Sequence, residues 1–202
     1  MQKLINKLAS YNTFIFVMVT LGISFLFLAF CRSVIVPWYE NLFGPIIGPN
    51  HYLDGVPFYV VFIMVALIAP LVETLVNQFL VIYLLLRFTR FPLWIVICIS
   101  ALFFGIAHTY SVYYVFYTFV IGIIFAVAFV ACKQKRGYFY AFWVVALIHG
   151  LFNAIITLGA ELLCSAIPLA WICNPCKHIK FCFRIFPYLC IINFVIFRIN
   201  AN

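Results

Sequence analysis

The chain has 202 residues, of which 68% are hydrophobic and 8% charged, whereas a soluble domain carries roughly 25% charged residues. So few charges cannot cover a water-facing surface, and the apolar residues fall in runs longer than the roughly 18 that span a bilayer. The net charge of +8 arises from 12 Lys and Arg against four acids, Glu40, Asp54, Glu73 and Glu161. These cations sit in short clusters between apolar runs and form no basic face, which argues for positive-inside anchoring in the bilayer and against nucleic acid as a partner.

The apolar runs are continuous and not alternating, so the expected fold is all-α: a polytopic transmembrane bundle of about five to six membrane helices. Lys3 and Lys7 precede a first run over 11–31, too long for a signal-peptide core and read as a retained membrane helix. Residues 32–55 are the longest polar stretch, and Pro37, Gly44, Pro45, Gly48 and Pro49 predict a break in any helix there. A second apolar run covers 57–86, interrupted by Pro70, and Arg87 to Pro92 form a cationic turn. Helices over 93–108 and 112–132 follow, joined around Thr109 to Ser111. After the cationic turn at 133–137, a fifth helix starts near Tyr138 and passes His149 and Asn153.

Residues 1–202 read as one membrane domain with its core over 60–160, and 161–202 as a Cys- and Lys-rich tail of unassigned topology. The eight cysteines suggest no disulfide framework, and Cys173 and Cys176 form a CxxC without a second pair, read as a membrane-proximal pair. Five alternating helices place the N-terminus and the turns at 87–92 and 133–137 on one side, the cytoplasmic side by the positive-inside rule. Lys177, Lys180 and Arg184 would need a further crossing to reach that side.

Ionisable residues inside a membrane are expensive and mark function by default. Counting the helical rise from the cationic turns puts Glu73 at about 21 Å, His108 at about 24 Å, His149 at about 18 Å and Asn153 at about 24 Å. Three separate helices thus bring polar groups into one slab about 6 Å thick. His149 and Asn153 are i, i+4 and share a helix face, as do Glu73 and Asn77, Thr74 and Gln78, and Phe104 and His108. Single polar residues of this kind often serve as interhelical packing groups; a carboxylate and two imidazoles at one depth point to chemistry. A sheltered Glu can take a proton from water and so generate hydroxide for attack on a carbonyl, with a His and an Asn donating to the oxyanion. Alternatively, His108 and His149 could hold a divalent metal such as zinc, whose bound water becomes the nucleophile.

The segments Glu73-Thr74-Leu75-Val76-Asn77-Gln78, Phe104-Gly105-Ile106-Ala107-His108 and His149-Gly150-Leu151-Phe152-Asn153 resemble, in order, the three motifs of the CPBP family. These are the intramembrane CAAX proteases and bacteriocin-processing (Abi) proteins, whose pattern is Glu-Glu-x-x-x-Arg, Phe-x-x-x-His and His-x-x-x-Asn. The resemblance implies a multi-pass bacterial membrane protein that cleaves a membrane-associated protein or peptide. It makes Glu73 the water-activating base, His108 its partner, and His149 and Asn153 the remainder of the catalytic centre, with Thr74, Asn77, Gln78 and Phe104 in support. Both metal-dependent and metal-independent mechanisms have been described for the family.

The sequence departs from the pattern at Thr74 and Gln78, which stand where the family has the second Glu and the Arg; these two could hydrogen-bond each other across one turn. That departure gives weight to a second reading, a non-catalytic relative acting in bacteriocin self-immunity or peptide binding. A proton or solute carrier built on the Glu–His cluster is a third. Other intramembrane protease types fail on residues: the only Asp is Asp54, and no His-Glu-x-x-His or Gly-x-Ser-Gly occurs.

Overall fold

The structure is a computed structural model that describes residues 1–46 and 56–166. Asp54, the Cys173–Cys176 pair, the cations at 177, 180 and 184 and the apolar segment 185–197 lie outside the described residues. Every regular element among the described residues is a helix. Helix α1 (Gln2–Ser10) precedes three helical runs long and apolar enough to cross a membrane: α2 (Thr13–Phe43), α3 (Phe58–Phe88) and Val112–Gly159. Between the second and third lies α4 (Leu93–Ile106), shorter but equally apolar. The third run belongs to a helical stretch, Val112–Ala166, that breaks at Arg136 (φ −146°, ψ 18°) and Gly137 (φ 85°, ψ 179°). The break leaves α5 (112–135) and α6 (138–166). The protein is therefore an all-α, multi-pass membrane bundle.

Helix α2 differs from the expectation: it does not stop near Cys31 but continues to Phe43. A π-helical segment, Cys31–Ile35, comes first, and Pro37 then falls in the opening turn of the α-helical segment Val36–Phe43. Pro37 has no N–H to give, so the helix runs through it with one intrahelical donor fewer. The helix ends instead at Gly44, whose φ of 82° lies in the left-handed region and whose N–H bonds Glu40 O at 3.0 Å.

The polar hydroxyls of α2 are satisfied within their own helix. Thr20 donates to Phe16 O at 2.8 Å and Ser24 to Thr20 O at 2.9 Å, so neither demands a partner from the lipid. Outward-facing positions such as Phe14, Leu26 and Val112 are more than 70% exposed, as expected where the solvent is hydrocarbon.

The cationic turns gather at one end. Gln134, at the end of α5, is hydrogen-bonded to both Gln2 and Asn6 of α1, and Lys135 donates to Tyr11 O. Tyr83 near the end of α3 packs edge-on to Tyr138 at the start of α6, with ring centroids 5.4 Å apart. Ile5 of α1 is fully buried against this end of the bundle.

Candidate active site

Glu73, His108, His149 and Asn153 lie on α3, just beyond the end of α4, and on α6, and all four are buried. The structure brings the first three together around one atom. Glu73 Oε2 is 3.8 Å from His108 Nε2 and 3.7 Å from His149 Nε2. Both separations exceed a direct hydrogen bond.

His108 is oriented by its own motif. Its Nδ1 lies 2.7 Å from Phe104 O, the carbonyl one turn earlier. A neutral imidazole there donates from Nδ1, which leaves the Nε2 lone pair facing Glu73. Phe104 also walls the site: its ring centroid lies 4.9 Å from that of His108 and 5.6 Å from that of His149. Phe125 of α5 closes on His149 from another side, at 4.8 Å. Phe125 bears no polar group and sits in an unbroken apolar run, so nothing in the sequence pointed to it. His149 Nδ1 and Glu73 Oε1 are buried with no hydrogen-bond partner among the described residues.

Glu73 owes its aim to an irregular helix. Upstream is the π-helical segment Met64–Ile68, in which Ala69 N–H bonds Met64 O, five residues back. In an α-helix that N–H would serve Val65 O. The next donor along, residue 70, is a proline with no N–H. Val65 O therefore receives its hydrogen bond from elsewhere: Asn153 Nδ2 donates to it at 3.0 Å. Close by, a Cβ at Gly150 would lie 2.6 Å from Ala66 O, so only glycine fits there. The motif on α6 thus grips the irregular turn of α3 through both Gly150 and Asn153.

A second π-helical segment, Thr74–Leu80, follows Glu73 directly. Val81 N–H bonds Gln78 O, not the Asn77 O that regular α geometry would select. Ser100 of α4 donates its hydroxyl to Asn77 O at 2.6 Å. Here the expected Thr74–Gln78 hydrogen bond does not form. Thr74 and Gln78 are both fully buried, and neither side chain has a hydrogen-bond partner among the described residues. The physical reason is the π geometry, in which residue i+5 and not i+4 closes the turn over residue i.

Among the described residues, no group of three His, Cys, Asp or Glu side chains is arranged to hold a metal ion.

Residues 55–155 match the model of a family described as Type II CAAX prenyl endopeptidase Rce1-like. The chain belongs to this family. It is thus a member of a CAAX-type intramembrane protease family, and the matched span holds all three motifs and every residue of the Glu73 cluster. Comparison with curated proteins and with solved structures returned no match.

Proposed function

We propose that this family member is an intramembrane endopeptidase that hydrolyses a peptide bond in a membrane-associated protein or peptide, with Glu73 as the base that activates water. The observation that supports it is the placement of Glu73 Oε2 within 3.7–3.8 Å of two imidazole nitrogens on different segments. Two acceptors 3.8 Å apart, Glu73 Oε2 and His108 Nε2, can share one water that gives an O–H to each, with legs of about 2.8 Å. Such a water is held with a lone pair free to attack.

The chemistry follows from that arrangement. Glu73 takes a proton from the water as its oxygen bonds the scissile carbonyl carbon. The carbonyl π electrons move onto oxygen, and His149 and the second N–H of Asn153 donate hydrogen bonds to that charge. Asn153 has two amide hydrogens and spends one on Val65 O. As the oxyanion collapses, the C–N bond breaks and the proton held by Glu73 passes to the leaving nitrogen. The products are a carboxyl terminus and an amine, and no redox partner is needed.

The test compares new protein termini in host membranes that carry wild type or Glu73→Gln. Matched expression and detergent stability of the two forms are required. Termini present with wild type and lost with the variant support the protease reading and reveal the substrate. Identical profiles, with a substrate confirmed present, overturn it in favour of peptide binding, a reading to which neutral Thr74 and Gln78 lend weight.

A further inference from the structure

We infer that Asn153 is a positioning residue that holds Glu73 in place, by replacing a hydrogen bond that the π-helical segment Met64–Ile68 of α3 takes away. Upstream, Val65 O loses its α-type donor because Ala69 N–H is committed to Met64 O, and its π-type donor does not exist because residue 70 is proline. Asn153 supplies the missing donor at 3.0 Å. Glu73 follows the repaired carbonyl by eight residues on the same helix.

The environment makes this bond consequential. An unpaired carbonyl in a membrane interior has no bulk water to turn to. Without Asn153, the cheapest response of α3 is to shift the Met64–Ile68 segment back toward α geometry. Shifting the helical register by one residue turns everything beyond it by about 100°. Glu73 would then leave the two imidazoles. A buried Asn on a neighbouring helix thus fixes the register of α3, and through it the direction in which Glu73 points.

The aim of Glu73 bears on catalysis only under the function proposed above, so the test uses readouts that need no turnover. It is a double-mutant cycle on the purified full chain in lipid nanodiscs, pairing Asn153→Ala with Pro70→Ala. The measurements are thermal unfolding and the infrared carboxyl band of Glu73, isolated by subtracting the Glu73→Gln spectrum. Asn153→Ala should lower Tm by roughly 2–12 °C and shift the Glu73 band. Pro70→Ala returns an N–H to α3, so in its background Asn153→Ala should cost clearly less and the band should move back toward its original position. Strict additivity of the two substitutions, or an unmoved band, would overturn the inference. Should Asn153→Ala fail to fold, the double variant with Pro70→Ala decides: restored folding supports the inference, and a chain that still fails to fold overturns it. Loss of cleavage without these changes would count against the positioning role while leaving the protease reading intact.

Discussion

Gly150 stands so close to Ala66 that a methyl group on its Cα would lie 2.6 Å from the Ala66 carbonyl oxygen. A contact this short involves backbone on one side, which cannot rotate out of the way. It lets α6 approach α3 closely enough for His149 and Asn153, one on each flank of Gly150 in sequence, to reach Glu73 and Val65.

Gly150→Ala should therefore push the two helices apart, at a cost of about 1–3 kcal/mol. Gly159, on the same helix, has nothing within 4 Å of where a methyl group on its Cα would sit. There alanine should be neutral or gain up to about 1 kcal/mol from helix propensity. Thermal unfolding of the two variants in the same detergent checks this. Equal melting temperatures would show that the close approach has no energetic weight.

Gln78→Leu should leave stability unchanged or raise it. The Gln78 amide is fully buried with neither atom partnered among the described residues, and an unsatisfied buried amide costs about 1–3 kcal/mol. Leucine fills a similar volume without that cost. A loss of more than about 1 kcal/mol on denaturation would mean that the amide has a partner worth keeping.

Phe103 and Phe104 are neighbours in sequence with opposite surroundings, 49% and 2% exposed. Phe104→Ala removes the ring between the two imidazoles and should cost about 3–5 kcal/mol. Phe103→Ala changes a lipid-facing position and should stay within about 0.5 kcal/mol. The comparison is made by chemical or thermal unfolding, and similar losses would contradict the burial pattern.

Gly137 has φ 85° and ψ 179°, a conformation essentially restricted to glycine, and no atom lies within 4 Å of where its Cβ would be. Gly137→Ala thus isolates backbone strain from crowding. The expected cost is about 1–3 kcal/mol, read as a lowered Tm. An unchanged Tm would show that the α5–α6 turn can adopt another path.

The membrane class and most helix positions were legible because lipid demands long apolar runs, and the cationic turns punctuate them. The convergence of Glu73, His108 and His149 was legible too, since depth along a straight helix follows from residue count. What spacing could not reveal is the departure from that straightness. The extension of α2 beyond Pro37 and the failure of Thr74 to meet Gln78 both trace to π-helical segments, whose hydrogen bonds are set by packing between helices. Ser100 was unreadable for a related reason: a lone Ser in an apolar helix has meaning only once Asn77 O is known to face it. Pro70 was visible in the sequence, but as an interruption and not as the cause of an orphaned carbonyl eighty-eight positions from its partner.

The π-helical segments also determine where the chain can tolerate a change in length. A π turn holds about one residue more than an α turn, so removing one residue within Met64–Ile68 or within Thr74–Leu80 would let that stretch close to α geometry with Glu73 still facing the histidines. The α-helical residues Ala69–Glu73 between them have no wide turn to give up. Removing one residue there would turn Glu73 about 100° around the helix axis. The irregular segments are thus where α3 can lose a residue, and the regular turn between them is where it cannot.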